Sequence, residues 1–511
     1  MKKTWRAATA ALAAVALFAM AACSSGSTGT DDDGEAVTGG ILNIGVSADI
    51  VETIPSAIAQ FNTRAIMSNM YDQLLREPVT GTTPEPWLAK DFEVSDDRLT
   101  YTFTLRDDVV FHNGEAMTAD DVVWTLEYAR TDPNTEGELV NIDTVTATDE
   151  HTVTVTMVRP QPDLLMALTD PAMAILPADF GGMSADEFRA APIGTGPFTF
   201  GDRTIGTDVR FDRFDDYWGE VALVDGLHFK VFPDVNAEAV ALQSGEIDIA
   251  SNVPLDSVNL LQGEVIETAQ QIVEVLQLNS NTPIIDNPDF RRALSLGMDR
   301  QALVDSLLGG FGTPADTLLS ITSFPEGVPS LPDTPYQYDP EAAADLVAAS
   351  GYDGSPLRLI YSTGIPTDVS LAAALQAQWK EVGIEVELNP LESGEWLKAV
   401  TAAPPHDNYD MSISRVGGAT ATPQWGFAAV SQYFGGGWPT DDVDTAVQAY
   451  AEATSTAEEQ QALVDYELNM AETLPTVSIA YMSVVWVVSD KVSGLEPRAS
   501  QFMALNTVSL G

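Results

Sequence analysis

Apolar and polar positions alternate most regularly in "LTYTFTLRDDVVFHNGEAMTADDVVWTLEYART", Leu99 to Thr131. Leu99, Tyr101, Phe103 and Leu105 alternate with Thr100, Thr102, Thr104 and Arg106, a period of two that predicts a half-buried strand. After Val109 to Phe111 the turn "HNGE" pivots on Gly114, and Thr118 followed by Asp121 predicts a capped helix starting near Ala119. Val122, Leu126 and Ala129 then form its buried stripe. In "HTVTVTM", Val153, Val155 and Met157 alternate with threonines and predict a second strand pair turning at Asp149 and Glu150. The region from about 80 to 185 therefore reads as a mixed domain of its own.

Farther along, strands alternate with helices. "LHFKVF" predicts a strand, Asp234 caps a helix through Leu242, Gly245 stops it and "IDIA" is the next strand. The order recurs at "LRLIY", a helix through "LAAALQAQWKEV", Gly383 as its stop, and "IEVEL". Crossover helices of this kind imply parallel sheet buried on both faces, so at least two α/β units are expected, one before about residue 275 and one after it.

Length and composition agree with several cores. The chain has 511 residues, 45% hydrophobic, and single cores stop growing near about 250–300 residues. It opens with Lys2, Lys3 and Arg6, then the apolar run "AATAALAAVALFAMAA", then the only cysteine, Cys23, in "MAAC". The run is shorter than the roughly 20 residues a membrane-spanning helix needs, and charge and length predict a secretory signal peptide over 1–22. "MAAC" resembles the lipobox of bacterial lipoproteins, in which the cysteine carries a lipid; Cys23 is the expected lipidation site. The alternative is a free cysteine beside an ordinary cleavage site. The following "SSGSTGTDDDGEAVTGG" has little to bury and reads as a solvated tether over 23–40, holding the body roughly 20 Å from a membrane surface. Folded structure is expected from Ile41.

Charge excludes some partners. The net formal charge is −51, and losing residues 1–22 removes three bases and no acid, giving −54. Such a surface repels phosphate backbones and anionic headgroups, so nucleic acid is not an expected partner and membrane contact is assigned to the lipid. No disulfide forms within a chain that has one cysteine.

The usual catalytic arrangements do not emerge. His112, His151, His228 and His406 lack a second ligand at metal spacing. No G-x-S-x-G elbow occurs, and "IGTGPF" lacks the third glycine of a dinucleotide loop and is bracketed by Pro192 and Pro197. No enzyme, cofactor or metal is expected. Binding features are clearer: Trp396, Tyr409, Trp425, Phe427, Tyr433, Phe434 and Trp438 gather around "RVGG" and "FGGGW". Glycine permits close backbone approach and tryptophan offers a flat apolar wall, although the same residues also suit core and turns. The candidate ligand contacts are Trp396, Arg415, Gly417, Trp425, Tyr433 and Trp438.

Several separated motifs carry a resemblance. "LAKDFEVSDDRLTYTFTLRDDVVFHNGEAMTADDVVWTLEYA", "PIGTGPF" with "DDYWGE", and "LNSNTPIIDNPDFRRALSLGMDRQALVD" together resemble the family 5 extracellular solute-binding proteins, the peptide, dipeptide and nickel receptors of ABC importers. The resemblance implies a two-lobed α/β fold of the periplasmic-binding-protein kind, hinged between lobes, with an extra domain in the first. On this chain it places lobe one at 41–80, 186–275 and 476–511, the inserted domain at 81–185, and lobe two at 276–475. It also implies a monomer outside the cytoplasm that encloses a peptide or related small solute and delivers it to a permease powered by a separate ATPase. Peptide-binding relatives hold the peptide amine with an aspartate in a W-x-x-D-like stretch. The matching "ISRVGGATATPQWGF", Ile413 to Phe427, has no acid and carries Arg415, which leaves a carboxylate, a sugar-like group or structural neighbours as its partners. Alternatives are a receptor for an oligosaccharide, opine-like compound or metal chelate, and, from other classes, a surface hydrolase or a partner-binding sensory lipoprotein.

Overall fold

The computed structural model describes residues 38–511 except 79–82, 256, 269, 271, 321–322, 325–326, 328–330, 332–336, 401–406, 417–440 and 496–503. Cys23 and the leader therefore lie outside the described residues, as do His406, Gly417, Trp425, Tyr433 and Trp438. No helix among the described residues is long and apolar enough to cross a membrane.

Two mixed sheets organise the chain. The first orders its strands Glu264–Glu267, Val485–Val488, Ile249–Ala250, Ile41–Val46, Gly226–Val231, Asp208–Arg213 and Phe198–Thr204. The second orders them Gly312–Pro314, Thr476–Met482, Ile272–Leu278, Met411–Val416, Leu357–Ser362 and Val386–Leu391. The expected crossovers are present: Ile41–Val46 runs parallel to both Gly226–Val231 and Ile249–Ala250, and Leu357–Ser362 runs parallel to Val386–Leu391. Helices Val235–Ser244 and Pro366–Glu381 make the connections. Gly245 at φ 76° and Gly383 at φ 88° end those segments in the left-handed region, which only glycine adopts without strain. The sheets are not wholly parallel, because the hairpin of Phe198–Thr204 with Asp208–Arg213 and the central Ile272–Leu278 strand pair antiparallel.

Sheet membership moves the expected lobe borders. Ile272–Leu278 and Thr476–Met482 pair with each other inside the second sheet, so the chain leaves lobe one after Glu267 and returns at Val485, rather than changing lobes at 275/276 and 475/476. Both crossings are short and bonded together. Thr268 N–H donates to the Val484 carbonyl at 3.0 Å, Val484 N–H donates to Thr268 Oγ1 at 3.1 Å, and Ser483 Oγ donates to Glu267.

A third sheet orders Ala89–Val94, Thr100–Leu105, Thr152–Met157 and Ile142–Asp149. Its apolar face, with Tyr101, Phe103, Val153 and Val155, packs in one core with Val122, Leu126 and Ala129 of helix Ala119–Ala129. The expected cap is in place: Thr118 N–H donates to Asp121 Oδ2 at 2.8 Å.

The separated sequence motifs meet where this domain joins lobe one. Gly194 and Gly196 press against the Met70 backbone so closely that a Cβ on Gly194 would lie 2.0 Å from its carbonyl oxygen. Gly194 N–H donates to His112 Nδ1 at 3.2 Å, so Nε2 carries the proton given to the Gly196 carbonyl at 2.9 Å. Burial holds His112 down to about 4, and it stays neutral. Beside it, fully buried Asp72 accepts from Trp87 Nε1 at 2.7 Å, Trp218 Nε1 at 3.0 Å, Thr195 Oγ1 at 3.1 Å and the Tyr217 hydroxyl at 3.3 Å. Burial pushes the Asp72 carboxyl up while these four bonds pull it back. Arg76 and Arg106 lie over the rings of Trp87 and Trp218 at 4.1 and 4.5 Å, placing positive charge around the buried anion. Asp72→Asn leaves two of the four donors without an acceptor, each worth about 1–3 kcal/mol; urea unfolding is expected to show a loss of at least about 2 kcal/mol, and an unchanged midpoint would exclude this junction role.

Candidate functional site

Helix Phe61–Met67 places Asn62, Ala65 and Ile66, with Asn69 just beyond its end, on one face at spacings of three and four. That face lines a cleft of about 340 Å³. The opposite side of the helix is anchored through buried Arg64, whose Nη1 donates to Asp170 at 3.0 Å and whose Nε donates to the Ile58 carbonyl. The helix is held from behind, and on its cleft side the amide nitrogen of Asn62 donates to the Ala48 carbonyl and that of Asn69 to the carbonyls of Ala65 and Ile66.

The remaining lobe-one wall comes from strand ends. Val46 and Ser47 lie at the carboxyl end of Ile41–Val46, Phe229 lies on the neighbouring parallel strand, and Ser251 and Asn252 follow Ile249–Ala250. Carboxyl ends of parallel strands are where open α/β sheets bind ligands. Glu238 positions this wall: fully buried on helix Val235–Ser244, it accepts the N–H groups of Ser251 and Asn252 at 2.7 and 3.0 Å. Gly45 makes room for it, since a Cβ there would lie 2.7 Å from Glu238 Cγ. Burial raises the Glu238 carboxyl to about 7, opposed by those two N–H bonds.

Arg415 comes from the second sheet, Val484 from the returning crossover, and Trp486 from the first-sheet strand Val485–Val488 that follows it. Trp486 is 7% exposed and its indole Nε1 has no hydrogen-bond partner among the described residues. Arg415 is the one charged side chain among the described lining residues. Its partners are two buried acids: Nε donates to Glu274 Oε2 at 2.9 Å, and Nη2 donates to Asp368 Oδ1 at 2.7 Å. Glu274 stands directly opposite Arg415 in the antiparallel ladder, and Asp368 is in the first turn of helix Pro366–Glu381. The Arg415 side chain is 29% exposed, those of the two acids 4% and 3%. Burial opposes the charge on Arg415, but both carboxylates hold its pKa above the ordinary value. Burial likewise raises Glu274 and Asp368 against the pull of Arg415.

Of the residues singled out from sequence, Arg415 reaches the cleft and Trp396 does not. Trp396 packs beside Ile360, Val400 and Tyr409, with Nε1 donating to Ser412 Oγ at 3.1 Å; it fastens helix Ser393–Val400 to the second sheet. Gly417, Trp425, Tyr433 and Trp438 fall outside the described residues. Sequence reasoning missed Glu274, Asp368 and Trp486. The available signal was a lone glutamate in the otherwise largely apolar strand "IVEVLQL", a charge that burial obliges to find a partner.

The chain belongs to the bacterial extracellular solute-binding proteins, family 5, whose description matches residues 83–438. Its members are solute-binding proteins rather than enzymes, in agreement with the function expected from sequence. The chain is 30% identical over 391 residues to the nickel-binding periplasmic protein of Escherichia coli, covering 71% of this chain and 72% of that protein. It is 32% identical to an ABC transporter peptide-binding protein of Brucella ovis over 58% of this chain and 59% of that one. Among solved structures, the ABC transporter substrate binding protein CtaP of Listeria monocytogenes superposes with a TM-score of 0.81 at 26% identity, covering 93% of this chain and 99% of that one. NikA of Brucella suis, in complex with Fe(III)-EDTA, gives 0.82 at 23% identity over 92% and 100%. The fold is the two-lobed α/β fold of these binding proteins.

Buried acids set the pH response. Glu238 is raised from 4.5 to about 7 and Glu467, whose carboxylate accepts the N–H groups of Leu318 and Leu319, from 4.5 to about 8 because both are buried. A folded-state pKa above the unfolded value means that the folded chain holds the extra protons, so stability is lost as pH rises through the folded values. Thermal unfolding is expected at a higher midpoint at pH 5 than at pH 8.5. Arg415→Met is expected to widen that difference, because it leaves Glu274 and Asp368 uncompensated once they ionise. A higher midpoint at pH 8.5 in either protein would contradict this.

Proposed function

We propose that this chain captures a small polar organic solute in the cleft between its lobes and presents it to the permease of an ABC importer powered by a separate ATPase. The observation that carries the reading is the cleft itself: a helix face, three strand ends, a crossover and Arg415 converge on about 340 Å³, at the lower end of the roughly 300–1,000 Å³ typical of small-molecule sites. Closure of two rigid lobes about the bonded crossovers would enclose what sits there.

Peptides are the leading solute class. Relatives are named for peptides, dipeptides and nickel, and a neighbouring fold was solved with the peptide STSA. The described lining offers amides, hydroxyls and a guanidinium rather than histidine, cysteine or acid, and no group of three metal-ligating side chains occurs among the described residues. An organic solute suits this lining better than a bare ion, and the second reading is a non-peptide solute such as an oligosaccharide, an opine-like compound or a chelate. In the same proposal the mature chain begins at Cys23, is lipid-anchored to the outer face of the cell membrane and works as a monomer, which the basic start, the apolar run and "MAAC" support.

Thermal unfolding of the protein trimmed of residues 1–40, against pooled short peptides, oligosaccharides and metal chelates, tests the reading. A solute at 100 times its dissociation constant adds about 2.7 kcal/mol, so an upward shift is expected with peptides. A shift only with sugars or chelates would move the assignment to the second reading, and no shift in any pool would contradict solute capture.

A further inference from the structure

Arg415 faces the cleft, yet it is not a free positive charge. Two carboxylates 4% and 3% exposed lie against its Nε and Nη2 at 2.9 and 2.7 Å. With both acids ionised the trio carries one net negative charge, and with one proton shared between them it is neutral. In neither state does it offer a net cation to a solute. Arg415 still has donor capacity, because its Nη1 makes no hydrogen bond among the described residues and its side chain is 29% exposed.

The neighbours reinforce this. Around Arg415 the described lining is Ser47, Asn62, Asn69, Ser251 and Asn252 with apolar side chains, none of which can compensate an added negative charge. A solute carboxylate docking on Arg415 would lose its hydration and lie beside two buried acids that already occupy the same cation. An uncharged oxygen, such as an amide carbonyl or a sugar hydroxyl, accepts the same N–H groups without that repulsion.

We propose that Glu274 and Asp368 are specificity-determining residues, which hold Arg415 as a donor to an uncharged oxygen of the solute and exclude solutes that would place a carboxylate there. The inference rests on the solute-binding reading of the cleft and goes beyond it by fixing the charge class of the group recognised. Glu274 and Asp368 touch Arg415 rather than the solute and act through it.

Matched pairs of solutes test it on the trimmed protein by titration calorimetry at pH 7.5. The peptide arm uses short N-acetylated peptides ending in a free carboxylate or in an amide; the sugar arm uses oligosaccharides with a terminal hydroxymethyl group or the corresponding uronic acid. Wild-type protein is expected to bind the uncharged member at least tenfold more tightly in whichever arm binds. Asp368→Asn is expected to narrow or reverse that ratio by at least tenfold, and Glu274→Gln serves as a second variant if the first fails to fold. A purely structural role for the acids would weaken both members of a pair equally. Binding with the carboxylate member preferred by wild type, or with a ratio unmoved in both variants, overturns the inference and leaves solute capture standing. Silence across both arms overturns the inference, because neither kind of uncharged oxygen is then recognised, and leaves solute capture to the pooled thermal unfolding.

Discussion

Everything in this molecule depends on how the chain passes between its two sheets. It leaves the first sheet at Glu267 and enters the second at Ile272, then leaves the second at Met482 and re-enters the first at Val485. Strands are stiff and their ladders fix register, so flexibility between lobes is confined to the few residues that belong to neither sheet. Those residues bond to one another through Thr268 and Val484, which makes the two crossings act as one ribbon. Val484 of that ribbon also lines the cleft, as does Trp486 two residues beyond it, so the element about which the lobes would turn is part of the cleft wall.

The two lobes contribute differently to that surface. Lobe one supplies neutral hydrogen-bonding groups on a firmly anchored helix and on strand ends braced by Glu238. Lobe two supplies one charge, already matched. Burying an Arg415–Glu274–Asp368 cluster is costly, since desolvation of three charged groups offsets much of their attraction, and such clusters contribute little net stability over apolar packing. Their presence beside the cleft is better explained by recognition. The guanidinium keeps a fixed orientation and its donors, while its charge is cancelled from behind.

Local features were legible in the sequence because their causes are local. The Thr100–Leu105 strand, the Thr118–Asp121 cap and the glycine stops at 245 and 383 each follow from neighbouring residues. The lobe borders were misjudged by a few residues at Ile272–Leu278 and Thr476–Met482 because an apolar strand does not declare which sheet it will join. The charge cluster was hidden for the same reason: Arg415 meets Glu274 across 141 positions and Asp368 across 47. A lone arginine beside glycines resembled a ligand contact, and only the ladder register shows that its charge is spoken for. The bond of Trp396 to Ser412 and its packing on Tyr409 were hidden likewise, because both depend on how helix and sheet meet rather than on neighbouring residues.

The most direct measurement is a crystal structure of the trimmed protein with a solute that stabilises it. The expected result is the solute between the lobes, an uncharged solute oxygen within hydrogen-bond reach of the Arg415 guanidinium, and both the Glu274 and Asp368 pairs intact. A solute bound elsewhere, or a solute carboxylate displacing Asp368 from Arg415, would contradict it.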